Sequence, residues 1–145
     1  MKTLLISALI SLSSFAGEVY FQGPCEEKPF LVGENTGAGI TAGALTISAL
    51  EESKTEYIGS EGGINSILGS PVGMEAIEVL SDTKMRAYGW CYEIDGFQPA
   101  AMPDEIELKG TEQVRWFFAF STYEDGVWKD YCTPSYSVKS PFICK

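Results

Sequence analysis

The residues Tyr88-Gly89-Trp90-Cys91-Tyr92-Glu93-Ile94-Asp95-Gly96 carry the clearest fold signal in the chain. Their large apolar members alternate with small or charged ones, so they would all lie on one face of a β-strand. The Asp95-Gly96 dipeptide that follows is typical of a tight turn between antiparallel strands. The segment therefore predicts a strand that ends in a turn.

Further along the chain, the same alternation returns with Val114, Trp116, Phe118 and Phe120. It predicts a second, more hydrophobic strand. Glu124-Asp125-Gly126 is typical of a hairpin tip, and residues 127–129 then predict a short third strand. The second half of the chain is therefore predicted to be a sheet rich in aromatic side chains.

Before the Tyr88 strand, the pattern predicts a hairpin and a helix. Apolar residues alternate over 44–50 and a short extended piece covers 55–58, which predicts the hairpin. A first helical piece is predicted over 64–69. Ser70 as N-cap and Pro71 at the first helical position then predict the main helix, over 70–82.

This order of elements predicts the fold class α+β, with a β-grasp-like mixed sheet packed on one main helix. The β-grasp-like domain would comprise residues 44–145, and residues 17–43 would form an N-terminal extension with a Gly-rich loop.

The first sixteen residues have the layout of a secretory signal peptide. Lys2 precedes the apolar run Leu4–Leu12, and small residues follow up to a plausible cleavage point near Ala16. A core helix over residues 4–12 is the alternative. The segment 18–24 looks like a viral protease site of the kind placed in expression vectors, and the sequence leaves open whether it is native, so it contributes nothing to the predicted fold. We expect a periplasmic or secreted protein.

Four cysteines remain after such a cleavage: Cys25, Cys91, Cys132 and Cys144. An even number in an exported chain predicts two disulfides, and three pairings are possible. Cys91–Cys132 with Cys25–Cys144 is favoured because the second bridge would fasten both chain ends. The spacing includes no Cys-x-x-Cys pair, so neither zinc nor thiol redox chemistry is expected.

Composition disfavours several classes of function. The formal net charge of −10 disfavours binding to nucleic acid. The sequence contains no His, which removes Ser-His-Asp and Cys-His sites and the usual zinc sites. We expect no metal, no cofactor, no catalytic residue and no transmembrane segment in the mature chain. Carboxylate chemistry remains conceivable at Glu93, Asp95 and Asp104, although solvated surface acids are the favoured interpretation.

The predicted neighbouring strands carry more aromatic residues than can all lie on the face that packs in the core, because successive residues of a strand point to opposite faces. The Trp90 and Trp116 faces are expected to build the core, and Phe117, Tyr123 and Trp128 are expected on an exposed second face that could bind a ligand or a protein. The loop from Asp95 to Pro103 is a second candidate region. The candidate ligand-binding residues are therefore Trp90, Tyr92, Asp95, Phe117, Tyr123 and Trp128.

The segment from Met74 to Cys132 resembles a bacterial domain family of uncharacterised function, whose relatives include the C-terminal β-domain of transcobalamin and intrinsic factor. The matching pieces are Gly73–Ile77, Ala87–Gly96, Met102–Asp104, Val114–Ala119 and Gly126–Trp128 followed by Cys132. The resemblance implies a β-grasp fold and an exported, non-enzymatic domain. In the cobalamin carriers this domain closes over a corrinoid held mainly by a helical domain, which has no counterpart here, so cobalamin binding is not carried over.

The leading hypothesis is an exported binding module without catalytic activity, whose partner is an unknown small ligand or an envelope protein. The alternative is a structural or protein-interaction component of the cell envelope, joined through the segment 33–43 or through a sheet edge. A carboxylate-based hydrolase is the third hypothesis.

Overall fold

The computed structural model describes residues 17–35 and 37–145. The predicted signal peptide and its cleavage point near Ala16 lie outside these residues. The described chain begins with two antiparallel strands, β1 (Gly17–Gln22) and β2 (Leu31–Asn35), in which Val19 pairs with Gly33. These strands lie within the segment that was predicted to be an extension and a loop.

A single α-helix follows, α1 (Ala42–Glu52). Thr41 caps it, since its hydroxyl accepts a hydrogen bond from the Ala44 N–H at 3.0 Å. The predicted strand over 44–50 is therefore wrong. The strand was predicted from the alternation of Leu45, Ile47 and Ala49, whereas the helix buries Leu45, Thr46 and Leu50. In so short an apolar run, the pattern by itself could not separate helix from strand.

The two predicted helices at 64–69 and 70–82 are wrong as well. The chain instead forms a hairpin, β3 (Tyr57–Ser60) and β4 (Gly63–Ile67), and then a single 3₁₀ turn at Gly73–Ala76. The next strand is β5 (Ile77–Ser81), which pairs antiparallel with β6 (Lys84–Ile94). The residues 77–81 form a strand in spite of their helical spacing, because they pair with the longer strand β6.

The aromatic half of the chain is the sheet that the sequence predicts. β6 pairs with β7 (Gln113–Glu124) over its whole length, and β7 pairs with β8 (Val127–Pro134). Both predicted turns are confirmed, because Asp95-Gly96 and Asp125-Gly126 each have two consecutive residues with positive φ.

The main sheet has the strand order β2-β1-β7-β6-β5, with β8 attached to the second half of β7. β1 runs parallel to β7, and the other pairs are antiparallel. A first hairpin, a helix and a later strand, β7, that runs parallel to the first strand make up the β-grasp arrangement. The predicted α+β class, with a mixed sheet and one helix, is therefore confirmed, although the hairpin and helix are built from residues 17–52 instead of 44–82.

One face of the sheet carries both parts of the core. Over one half, α1 and β4 cover Val19, Phe21, Val114 and Trp116. Over the other half, a second cluster contains the side chains of Ala76, Tyr88, Phe118 and Phe120. Trp90 packs against both clusters and so lies at the boundary between them.

Both predicted disulfides are present. Cys25–Cys144 joins the loop after β1 to the C-terminal residues, and Cys91–Cys132 joins β6 to β8. Among residues 17–35 and 37–145, no helix combines the length and the hydropathy needed to cross a bilayer.

Candidate functional site

An open cleft of about 700 Å³ lies where the two halves of the core face meet. Five segments form it: the loop 23–30, the turn 67–71, the 3₁₀ segment at Glu75, β6 at Trp90, and the C-terminal residues 142–145. Its lining is mainly apolar, and the large side chains in it are Phe30, Ile67, Leu68, Trp90 and Phe142. This volume is within the range of small-molecule sites.

Trp90 is held in a fixed orientation in this cleft. Its indole N–H donates to the Ser70 hydroxyl at 2.9 Å, and the same hydroxyl oxygen accepts the Ile67 N–H at 3.1 Å. The ring packs edge-on against Phe30 at 6.4 Å and against Phe118 at 5.6 Å between centroids. A half-buried aromatic ring in a fixed orientation therefore lines the cleft.

The loop 23–30 and the C-terminal residues 142–145 build another part of the cleft wall. The Cys25–Cys144 disulfide joins them, and the Ser135 hydroxyl donates to the Pro24 carbonyl at 2.8 Å. Ser140 anchors the C-terminal segment to the sheet through a hydrogen bond from its hydroxyl to the Glu78 carboxylate at 2.5 Å. The disulfide is thus part of the cleft itself.

The turn between β4 and the 3₁₀ segment supplies Leu68. The Ser70 N–H donates to the Ile67 carbonyl at 3.1 Å, and both residues between them, Leu68 and Gly69, have positive φ (51° and 71°). This is the geometry of a type I′ turn, which favours Asn or Gly at its central positions. A leucine there is uncommon, and its side chain is 61% exposed.

Of the candidate residues predicted from the sequence, Trp90 lines this cleft and the other five do not. Tyr92 stacks on Trp116 at 5.2 Å, and its hydroxyl donates to the Ala101 carbonyl. Burial, together with the nearby Glu105 and Asp104, raises the pKa of Tyr92.

Phe117 was predicted to lie on an exposed face, and that prediction is wrong because the side chain is 1% exposed. The Arg115 guanidinium lies 4.2 Å from its ring centroid. Arg115 also binds the Glu93 carboxylate at 2.9 Å and the Tyr136 hydroxyl at 2.8 Å. The Cys91–Cys132 bridge spans this part of the sheet, since Cys91 pairs with Phe117.

Tyr123 and Trp128 are partly exposed, in agreement with the predicted second face. Strand pairing places them in a line across four strands, which we name the outer row: Val79, Met85, Tyr123 and Trp128. Paired residues share a face, and alternation from Trp116 puts the outer row on the face opposite α1. The Tyr123 and Trp128 rings are 5.2 Å apart.

Two of the three acidic residues considered for catalysis, Glu93 and Asp95, have structural partners. Glu93 forms the ion pair with Arg115, and the Asp95 carboxylate accepts the Gln113 N–H at 2.9 Å across the turn. Asp104 lies in the exposed 3₁₀ turn Pro103–Glu105. In the described part of the chain, no group of three or more His, Cys, Asp or Glu residues is placed to hold a metal ion.

The sequence interpretation missed Phe30, Leu68 and Phe142. Phe30 and Phe142 lie in segments without a periodic pattern, and Leu68 belongs to the segment 64–69, which the sequence predicts to be a helix. A signal did exist, because Phe30 and Phe142 each follow or precede a cysteine of the terminal disulfide within a few residues. Apolar side chains tied together by one disulfide are expected to lie on one surface.

Neither the sequence nor the structure matches a protein-family model, a curated protein or a solved structure.

Proposed function

We propose that the protein is an exported binding module without catalytic activity and that it holds a small apolar ligand in the cleft at Trp90. The observation that carries the proposal is the cleft itself, with its volume of about 700 Å³ and its apolar lining around a fixed indole. Sites of this size and character are the usual places for small ligands in proteins. The resemblance to a family with binding domains among its relatives supports a binding role.

Export is supported by two independent features. The disulfides Cys25–Cys144 and Cys91–Cys132 are compatible with an extracellular or periplasmic protein, because such bridges persist in oxidising compartments. The N-terminal sequence has the order of charged, apolar and small residues typical of a signal peptide. Absence of His from the sequence and the Arg115 ion pair of Glu93 support a role other than catalysis.

Nile red, a neutral apolar dye, tests the proposal. Titration of the oxidised protein should give saturable fluorescence with one site per chain. The Trp128→Phe background leaves Trp90 as the tryptophan open to quenchers, since Trp116 is 2% exposed. In that background, bound dye should reduce quenching of tryptophan emission by acrylamide.

Phe30→Asp places a charge in the cleft wall and should weaken dye binding at least about tenfold. Val32→Asp is the matched control, because Val32 is an exposed residue of the neighbouring strand that does not line the cleft. Equal binding by both variants, or no saturable binding by the unmodified protein, would sink the proposal.

A second candidate function is supported by the outer row. Val79 is 73% exposed on the edge strand β5, and Trp128 is 40% exposed on the same face. An apolar row that reaches a sheet edge is suited to contact with an envelope protein. Under this alternative, Val79→Ser with Trp128→Ser should abolish co-sedimentation with an envelope fraction and leave Nile red binding unchanged.

A further inference from the structure

The mouth of the cleft is unusually apolar for a surface in contact with water. Leu68 is 61% exposed, and Phe30 and Phe142 are each about two-fifths exposed. Val72 and Met74 lie on the short segment between the lining residues Pro71 and Glu75, and Met74 is 85% exposed. Clustered exposure of this kind indicates contact with something apolar outside the cleft as well as inside it.

Leu68 adds an independent observation. Its φ of 51° is unfavourable for a bulky side chain, and Asn would fit the same turn without that cost. The side chain is also largely exposed, so the core of the protein gains little from it. A strained, exposed leucine at the mouth of a cleft is the kind of feature retained for a contact with a ligand.

The charges at the mouth are balanced. Glu26, Lys28, Glu75 and Lys145 all line the cleft, giving two acidic and two basic side chains. None of the four forms an ion pair with another residue of the described chain. The whole protein carries −10, so its long-range field repels anions, and an anionic head group would find no compensating excess of lysines here.

We propose that the ligand is a single-chain zwitterionic amphiphile, whose hydrocarbon chain fills the cleft and whose phosphate and ammonium groups lie among the two lysines and two glutamates. This inference rests on the proposed function and specifies its ligand class. An apolar mouth suits transfer of the chain from a lipid surface, and the paired charges match a head group of zero net charge.

Lysophosphatidylcholine, used below its micelle concentration, is the probe. It should displace Nile red from the oxidised protein, with an affinity at least about tenfold higher than that of lysophosphatidylglycerol with the same chain. Equal affinities would overturn the inference. Nile red binding without displacement by lysophosphatidylcholine would also overturn it and leave the proposed function standing, whereas absence of dye binding would remove both.

Two sets of variants make the test specific. Leu68→Asn should raise the melting temperature, because the turn loses its strain, and should weaken lysophosphatidylcholine binding about tenfold. Val127→Asn, at an exposed position on the distant β8, is its control and should leave affinity unchanged. Unchanged affinity in Leu68→Asn would contradict the proposed contact.

The double variant Lys28→Glu with Lys145→Glu should weaken lysophosphatidylcholine binding by a larger factor than it weakens Nile red binding, because the uncharged dye makes no contact that depends on the lysine charges. Lys54→Glu with Lys109→Glu changes the net charge by the same amount at exposed positions away from the cleft. If both pairs of substitutions weaken lysophosphatidylcholine binding equally, the effect comes from the net charge of the protein. The proposed placement of the head group among these side chains is then refuted.

Discussion

Inside the core, the indole N–H of Trp116 has one partner, the hydroxyl of Thr46, at 2.7 Å. That hydroxyl in turn donates to the Ala42 carbonyl at 2.7 Å, so a single buried oxygen connects helix and sheet. Thr46 is 1% exposed. If the Thr46 hydroxyl is removed, the buried indole N–H has neither water nor a protein acceptor, and the folded state loses the free energy of that hydrogen bond without compensation.

Thr46→Val should therefore lower the free energy of unfolding by about 1–3 kcal/mol, measured by urea denaturation. Thr46→Ser retains the hydroxyl and should recover most of the loss. Ser48→Ala, on the exposed side of the same helix, is the control and should change stability little. A Thr46→Val variant as stable as Thr46→Ser would contradict the role given to this hydrogen bond.

Glu78 links stability to pH. Burial by itself would raise its pKa, but hydrogen bonds from Ser140 and Tyr88 and the charge of Arg86 outweigh burial and hold the pKa below its ordinary value of 4.5. The Tyr88 hydroxyl donates at 2.6 Å and the Arg86 guanidinium lies 3.5 Å away. A depressed pKa favours the ionised carboxylate in the folded state, so its stabilisation is present above pH 4.5 and is lost as the pH falls through the folded-state pKa.

Glu78→Gln should cost about 1–2 kcal/mol of unfolding free energy at pH 7. The difference from the unmodified protein should shrink below pH 4.5, where the Glu78 carboxyl becomes protonated first in the unfolded state and, at lower pH, in the folded state. Urea denaturation between pH 3 and pH 7 measures both effects, with Glu61→Gln in an exposed turn as control. A difference that stays constant over this range would refute the proposed linkage.

The burial of single residues could be predicted from the sequence where strand alternation determines it. It could not be predicted where contacts with other parts of the fold determine it. The Trp116 face was correctly expected in the core. Phe117 was not, because the Arg115 guanidinium lies over its ring, and strand alternation alone does not reveal that contact. Thr46 is invisible to an analysis based on apolar residues, since its burial depends on a hydrogen bond to a distant tryptophan.

Among the elements, β1 differs most from the sequence prediction, which left residues 18–24 out of the fold. It lies between β2 and β7, and both Val19 and Phe21 are fully buried. The segment was set aside because it resembles a protease site, and its short length gives only a weak strand signal. Its partner β7 comes from the far end of the chain, so no local pattern could have indicated the pairing.

Phe21→Ala should lower the free energy of unfolding by about 3–5 kcal/mol, as expected for truncation of a fully buried aromatic residue. Val32→Ala, at a 55% exposed position on the adjacent strand, should stay within about 0.5 kcal/mol of the unmodified protein. Denaturant unfolding followed by tryptophan fluorescence measures both. Equal stabilities for the two variants would mean that β1 is dispensable.

The strands β6, β7 and β8 could be predicted because each is long or is bounded by an Asp-Gly turn. The helix and β5 could not, because both are short segments whose apolar spacing satisfies two periods at once. Tertiary contacts decide between helix and strand in both segments. β5 is a strand because it pairs with β6, and α1 is a helix that covers the sheet at Trp116.

For the molecule as a whole, the two disulfides should differ in their effect. Cys25–Cys144 closes a separation of 119 residues and Cys91–Cys132 one of 41. Loop entropy alone gives stabilisations of about 5 and about 4 kcal/mol, respectively. Only the first forms part of the cleft.

Replacement of Cys25 and Cys144 by Ser should therefore reduce both stability and Nile red affinity. Replacement of Cys91 and Cys132 should reduce stability and leave affinity largely unchanged under conditions where the protein remains folded. Urea denaturation and dye titration of the two variants provide the comparison. Loss of affinity in the second variant alone would contradict the placement of the site.

The candidate site as a whole was beyond sequence prediction, apart from Trp90. Its walls come from five segments between residues 23 and 145, and they meet because β1 pairs with β7 and the terminal disulfide forms. The cysteine count did anticipate the bridge that forms one wall.

Because β1 pairs in parallel with β7, the sheet cannot close until the residues up to Glu124 have been synthesised. If the chain is exported unfolded, it would thus remain unfolded for as long as β7 is missing. The same order affects oxidation: Cys25 meets Cys91 before it can meet Cys144, so oxidants that join thiols as they emerge would first make a wrong bridge. Correct maturation should then depend on thiol–disulfide isomerisation, a step that a protein with consecutive pairing would not need.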